Sequence, residues 1–474
     1  MRLIKIFTLH FFILSMLSCS KQTKVIASKE KDARPNIVFI FADDWGWGDL
    51  SAHGHPYVKT PNIDRLVKEG TDFQRFTVAS GVCSPSRTAV ITGQFPGRQN
   101  IDGHFAWVPS NEKRNMPDWL DQETVLMPRL LQQSGYATAH YGKWHLSNNM
   151  IPDSPSPLKY GYDEYGCFNC SGEQIPVHED ANQTIKFIEK ANKSNKPFFI
   201  NLWLHEPHTP HHVIPKYQWG YRELDEADNI YAAILSHADD RVGDVLDALD
   251  RLELTDNTLV IFSSDNGPAR AAVKVEELKL MYDSATGAGY SVGASKGVTG
   301  GRKGYKASLF EGGIGVPFIA RWPGKIEAGK IDNASLMSAV DLLPTFCELA
   351  NVELPSGYKP DGISQVETLL GKEYPSRTKP LFWKYDSPWP ANKNKPDHWV
   401  TYAVVDKNWK LVANKDLSHV ELYDIVADVY EKNNIEAQNA DVVNGLISQL
   451  KEYQESLPEK PSSKLFSNLR QNPE

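Results

Sequence analysis

Asn36-Ile-Val-Phe-Ile-Phe-Ala42 runs straight into Asp43-Asp44, and that junction decides the fold. The apolar run shows no alternation, so it predicts a strand covered on both faces. Three more runs repeat the design. Tyr136-Ala-Thr-Ala-His-Tyr141 leads into Gly142-Lys143-Trp144-His145. Pro197-Phe-Phe-Ile-Asn-Leu-Trp-Leu204 leads into His205-Glu206-Pro207-His208, and Thr258-Leu-Val-Ile-Phe262 leads into Ser263-Ser264-Asp265-Asn266-Gly267. Helical patterns over 63–69, 125–134, 181–191 and 229–252 separate them. The alternation predicts an α/β protein with a mostly parallel sheet flanked by helices. Ligands in such sheets bind beyond the carboxyl ends of the strands. The polar residues ending each run are therefore the candidate site.

Those residues divide by chemistry. Asp43, Asp44, Asp265 and Asn266 are hard oxygen donors, a set that prefers Ca²⁺ or Mg²⁺. Read singly, each pair is also a common turn or helix cap. Lys143 and His145 stand two apart at a strand end, so both can point to one side. His205 and His208 are three apart around Pro207, which is not the four-residue spacing of a zinc-protease helix. Lys306 follows the glycine-rich stretch 297–304, but no Gly-Lys-Ser/Thr completes a phosphate loop. The stretch 268–301 is long enough to shape a substrate site.

A nucleophile comes from Val78-Ala-Ser-Gly-Val-Cys83-Ser-Pro-Ser-Arg87-Thr-Ala-Val-Ile-Thr-Gly93. Pro85 suits a first helical turn, which places Cys83 at a helix N-terminus where the dipole favours an anion. Arg87, four residues on, shares its helix face.

Cys83-Ser84-Pro85-Ser86-Arg87 resembles the Cys-x-Pro-Ser-Arg signature of the type I sulfatases, the formylglycine-dependent family that includes bacterial polysaccharide sulfatases. The resemblance extends in family order over roughly residues 35–345. It implies an alkaline-phosphatase-like fold and conversion of Cys83 to formylglycine (3-oxoalanine) by a maturation enzyme. One hydroxyl of the hydrated aldehyde then attacks sulfur, and the other drives sulfate release. Asp43-Asp44 and Asp265-Asn266 match the family's metal-ligand pairs, completed by the residue at 83, with Ca²⁺ the first expectation and Mg²⁺ the second. Gly142-Lys143-Trp144-His145-Leu146 matches the run whose Lys and His touch sulfate and nucleophile. His208 matches the histidine that protonates the leaving alcohol or holds sulfate, although spacing alone does not separate it from His205. Lys306, five residues before Glu311-Gly312-Gly313, matches the second sulfate lysine. The family often carries Arg where Gly315 stands.

Formal charge is −8 with no basic stripe, which argues against nucleic acid as partner. Arg2 and Lys5 precede the apolar run Ile6–Leu17, too short to span a bilayer, so 1–18 reads as an export signal. Met16-Leu17-Ser18-Cys19 reads as a bacterial lipoprotein box. Cys19 would carry a lipid to the outer membrane, giving a periplasmic or membrane-anchored protein; a secreted protein is the alternative. Residues 19–34 read as a polar tether. Cys167 and Cys170 suit a local disulfide in an oxidising compartment, and Cys347 suits the core.

Residues 35–360 form the expected catalytic domain. Beyond them, short runs at 380–385, 399–405, 409–412 and 420–423 and a helix at 439–453 predict a C-terminal subdomain, 361–474, with a small antiparallel sheet. The tail 457–474 shows little pattern. Substrate choice would rest on residues outside the signature, with His104, His205 and Arg302 as candidates and Trp107, Trp219, Trp389, His211 and His212 behind them. The implied substrate is a sulfated oligo- or polysaccharide, either algal (ulvan, carrageenan, fucan) or a glycosaminoglycan. The alternatives are a phosphonate or phosphate ester hydrolase of the same superfamily and a glycan-binding lipoprotein without catalysis.

Overall fold

In the strand Asn36–Ala42, Ile37, Phe39 and Phe41 enter one hydrophobic core, while Val38, Ile40 and Ala42 enter another. Both faces are covered, which explains why the run lacks alternation. The computed structural model describes residues 34–172, 174–271, 278–372, 377–386 and 399–470. The leader, Cys19 and Trp389 lie outside them, as does the tether up to residue 33. Residues 33–474 form one compact unit. Among the described residues no helix is long and apolar enough to cross a membrane.

The large sheet has eight strands. Their order is Lys330–Asp332, Thr71–Phe73, Phe318–Arg321, Thr258–Ser264, Asn36–Ala42, Phe198–Trp203, Ala137–Lys143 and Glu164–Phe168. From Thr258–Ser264 to Glu164–Phe168 every pairing is parallel. Phe318–Arg321 runs against its two neighbours. The four runs read from sequence are adjacent, so their carboxyl ends meet at one edge. The helices Pro61–Glu69, Asp180–Lys193 and Glu226–Arg251 pack on one face. Cys83–Thr92, Met127–Gln133 and Leu342–Leu349 pack on the other.

A four-stranded antiparallel sheet follows, ordered Leu381–Lys384, Tyr402–Asp406, Trp409–Ala413 and Val420–Asp424. The helix Ala440–Glu455 covers one face through Leu446 and Leu450. The other face supplies Trp383, Val405, Val412 and Tyr423 to the main core. Trp383 Nε1 donates to the carbonyl of Val78 at 2.7 Å, which ties this sheet to the loop before Cys83. Fully buried Lys410 joins Glu311 (2.8 Å) to Glu431 (2.9 Å). The tail also packs: Asp118 accepts from Ser467 N at 2.8 Å and from Arg470 Nε at 2.6 Å. Leu465 adds an apolar contact to Val108, Trp119 and Ile151, and isolated anchors of these kinds leave no periodic pattern. Cys167 and Cys170 form a disulfide, and Cys347 is buried.

His140, mid-strand in Ala137–Lys143, is enclosed by Trp144, Tyr162 and Trp203, with ring centroids 4.8–5.4 Å away. Burial, helped by the Arg87 charge, pulls its pKa from 6.5 to about 3. The unfolded chain takes up this proton near pH 6.5 and the folded chain does not, so the stabilisation is complete above 6.5. It is lost progressively as pH falls towards 3. At pH 5 the loss is about 2 kcal/mol for this one ring. His140→Gln is expected to melt with a shallower decline between pH 7 and 5 than the parent, followed by calorimetry. Equal slopes would remove His140 from the cause.

Candidate active site

Cys83 opens the helix Cys83–Thr92, all ten residues of which are buried. No side chain caps its start. Pro85 at the third position lacks one of the N–H groups that would otherwise need a partner. At the far end Gly93 takes the left-handed conformation, and its N–H returns to the Ala89 carbonyl at 2.8 Å.

The strand-end residues converge on this cysteine. Cys83 Sγ lies 3.4 Å from Asp43 Oδ1 and 3.6 Å from Lys143 Nζ. Lys143 is paired with the other oxygen of Asp43. Lys306 Nζ reaches Asp44 at 2.6 Å. Asn266 Nδ2 donates to Asp44 Oδ1 at 2.7 Å, and Asp44 N donates to Asp265 Oδ1 at 3.2 Å. Arg87 grips Asp265 Oδ2 with Nε at 3.0 Å and Nη2 at 2.6 Å, and donates to the Lys143 carbonyl at 3.2 Å. Its guanidinium lies 4.9 Å from the Trp203 ring centroid and 5.6 Å from that of Phe41. Asp44 (φ 66°) and His145 (φ 54°) hold left-handed backbone, strain of the kind that concentrates at functional sites.

The strand ends at Lys143, so His145 does not extend the strand's alternation as the two-residue spacing predicts. The left-handed turn brings its Nε2 to the Phe105 carbonyl at 2.9 Å, and His145 still faces the cavity. His208 Nε2 lies 4.0 Å from Asp44 Oδ2, with the side chain a quarter exposed. His205 is buried, with Nε2 on the Pro210 carbonyl at 3.0 Å.

These groups floor a cavity of about 560 Å³. Cys83, Lys143, His145, His205, His208, Lys306 and His104 all line it. Arg302 does not. It is buried elsewhere, donating to the Gln74 carbonyl at 3.1 Å and stacking 4.5 Å from the Trp47 centroid. Its Nη1 fills the space beside Gly315, where a Cβ would lie 2.4 Å from it. Side-chain volume at 315 is thus replaced by Arg302 from a neighbouring loop. Trp107 and Trp219 are exposed outside the cavity. His211 and His212 bond Ser295 and Ala288 and also miss its lining. The hairpin turn 282–286 is part of the wall that single residues did not announce. Asp283 organises it by accepting from Ala285 N and Thr286 N.

The carboxylates sit among fixed protein cations. Burial raises the Asp43 carboxyl, but His208, Lys143, Arg87 and Lys306 outweigh burial and hold it well below the usual range. Burial and then Asp43 push Asp265 up to about 7, against Arg87 and Lys143. Burial, Asp265 and Asp43 together raise the Cys83 thiol. An unmodified cysteine here is a poor thiolate, despite its helix N-terminus. Donor atoms of Asp43, Asp44, Cys83 and His208 lie within 4.8 Å of one another. Asn266 Oδ1 is buried without a hydrogen-bond partner. An orphaned carbonyl among carboxylates fits a hard divalent cation.

The Sulfatase family model matches residues 35–352. The chain belongs to the sulfatase family. It is a sulfuric ester hydrolase, and a second model, N-sulphoglucosamine sulphohydrolase, C-terminal, matches residues 303–456. This sulfatase is 33% identical to the N-acetylgalactosamine-6-sulfatase of Canis lupus familiaris, over 74% of this chain and 68% of that one. It is 28% identical to the N-acetylgalactosamine-6-O-sulfatase of Bacteroides thetaiotaomicron, over 88% and 92%. Among solved structures, Ps i-CgsB in complex with k-i-k-neocarrahexaose superposes with a TM-score of 0.74 at 24% identity, covering 92% of this chain and 95% of that one. The phosphonate monoester hydrolase of Agrobacterium radiobacter superposes with a TM-score of 0.60 at 20% identity, covering 89% and 96%. The alkaline-phosphatase-like fold is thus common to both chemistries.

Proposed function

We propose that this sulfatase hydrolyses sulfate esters of a sulfated carbohydrate, with Cys83 oxidised to formylglycine and one divalent cation, Ca²⁺ first, as cofactors. The observation that carries the reading is Cys83 Sγ at 3.4 Å from Asp43 and 3.6 Å from Lys143 on the floor of a saccharide-sized cavity. Relatives named for N-acetylgalactosamine-6-sulfate and a structure holding a carrageenan oligosaccharide support the carbohydrate class. Export through residues 1–18, with lipidation at Cys19, would bring the enzyme to such glycans.

Asp43, Asp44, Asp265 and Asn266 would hold the cation, which when bound supplies a Lewis acid and a template. The oxidised residue supplies a hydroxyl nucleophile and a second hydroxyl for release. Arg87 fixes Asp265 and the Lys143 carbonyl, so the nucleophile's helix and two strand ends keep one register. Lys143 and Lys306 present ammonium groups where sulfate oxygens gain charge. His145 orients at the nucleophile through its bond to the Phe105 carbonyl. His208, partly open to the cavity, is placed to hand a proton to the departing sugar oxygen. His104 and His205 line the sugar side.

Removing Lys306 tests the charge argument. Lys306→Ala is expected to lower kcat/KM by about 10²–10³-fold, the usual effect of deleting one transition-state donor. An unchanged value in steady-state assays would show that Lys306 serves only Asp44.

The reading itself is tested by incubating maturation-competent protein with sulfated algal and glycosaminoglycan oligosaccharides and measuring free sulfate. Peptide mass spectrometry at position 83 runs alongside. Sulfate release with formylglycine present is expected. No release from any substrate, despite formylglycine, would overturn it. Faster turnover of an aryl phosphonate than of an aryl sulfate would move the assignment to the phosphonate class.

A further inference from the structure

Behind the catalytic loop lies a cluster that the sulfatase reading does not use. His178, Glu206 and His237 each offer a donor atom within 4.8 Å of the others. His178 Nε2 stands 2.8 Å from Glu206 Oε1, in ion-pair contact. His237 Nδ1 is buried and unpartnered, and its ring meets that of His178 edge-on at 4.3 Å. A buried imidazole nitrogen with no partner beside a His–Glu pair is costly unless something satisfies it.

The surroundings are built to keep the cluster in place. Arg241 pairs with the other oxygen of Glu206, and its Nη1 is held by Asp180 at 2.6 Å. One oxygen of Glu206 is thereby committed and the other is left facing the histidines. A carboxylate fixed by an outer partner is how metal ligands are oriented. His178 itself adopts φ 83°, a conformation rare for a residue with a Cβ, and so is held against local preference. His212 Nε2 is a further buried nitrogen without a partner, on a ring 6.0 Å from that of His178.

We propose that His178, Glu206 and His237 form a second metal site, for a zinc-type divalent cation, separate from the aspartate site beside Cys83. Two imidazoles and one carboxylate suit a borderline-soft cation, whereas the all-oxygen set of Asp43, Asp44, Asp265 and Asn266 suits a hard one. Water would complete four-coordination. The site would be structural. Asp43 N donates to the Glu206 carbonyl at 3.2 Å, and His208 follows two residues later. A cation on Glu206 would brace the loop that carries His205 and His208.

The test is a metal count, which does not depend on turnover. The protein is held in excess Ca²⁺ to fill the oxygen site, loaded with Zn²⁺, dialysed and analysed for both elements. The parent is expected to retain one more equivalent of zinc than His178→Ala or His237→Ala. Zinc is also expected to raise the parent's Tm by several degrees and leave both variants unmoved. The His178 side chain is a fifth exposed. His178→Ala therefore decides alone if His237→Ala fails to fold by circular dichroism. Equal zinc in parent and His178→Ala, or none in the parent, would overturn the proposal and leave a buried His–Glu ion pair.

Discussion

Cys83→Ala is expected to release no sulfate above background, a loss of about 10⁴–10⁶-fold of the kind seen when a covalent nucleophile is removed. The size follows from the site. Among the described residues, the side chains that hydrogen-bond with Cys83 Sγ are Asp43 and Lys143, neither of which carries a hydroxyl. Neither can substitute as the hydroxyl nucleophile. Stability should change little, because the variant deletes only the oxygen function carried by position 83 at a packed helix start, about 1 kcal/mol. A folded, inactive variant is therefore the expected result, read by sulfate assay and thermal melt together. Cys83→Ser separates two ideas that alanine does not. Its single hydroxyl could form the first bond to sulfur but has no second hydroxyl to drive release. Mass spectrometry after substrate exposure should then find, at most, one sulfo group on the protein without further turnover. Steady turnover by Cys83→Ser would remove the need for the oxidised residue and favour phosphatase-like chemistry.

The convergence of the strand ends on Cys83 was legible in the sequence because strand and candidate site are written in the same stretch. A run such as Asn36–Ala42 must be apolar to lie between two cores, and Asp43 must follow where the sheet ends. The groups reached through long-range contacts were less legible. Arg302 looked available because a glycine-rich loop surrounds it, and nothing local announces that Gly315 leaves room for its guanidinium. The wall at 282–286 is set by a turn whose neighbour across the cavity is far away in sequence. His178, Glu206 and His237 lie 28 and 31 residues apart on a loop, a strand end and a helix, so no spacing rule joins them. The polar tail docks through Asp118 and Asp153, anchors that leave no hydrophobic period to read.

Arg87→Met is expected to lower Tm by on the order of 10 °C and to abolish activity with it. Arg87 and Asp265 are both fully buried, and two guanidinium nitrogens meet one carboxylate oxygen. Removing one member of a buried pair leaves the other's charge uncompensated, at a cost of about 3–5 kcal/mol. Methionine keeps most of the volume between Phe41 and Trp203, so the loss reports charge and hydrogen bonds more than packing. Burial and the Asp43 charge already raise the Asp265 carboxyl against Arg87, so without Arg87 its charged form should be less favoured and its hold on a cation weaker. Two readouts should therefore fail together: thermal stability, and retention of Ca²⁺ on dialysis. Arg87→Lys restores the charge but offers a point donor in place of the fork and loses the planar face that lies over Trp203. It should recover part of the stability and little of the activity. A variant that melts within 2 °C of the parent, by the ~2–4 °C per kcal/mol typical of chains this large, would show that Asp265 does not depend on Arg87. The helix of Cys83 would then be held at the sheet edge by packing alone.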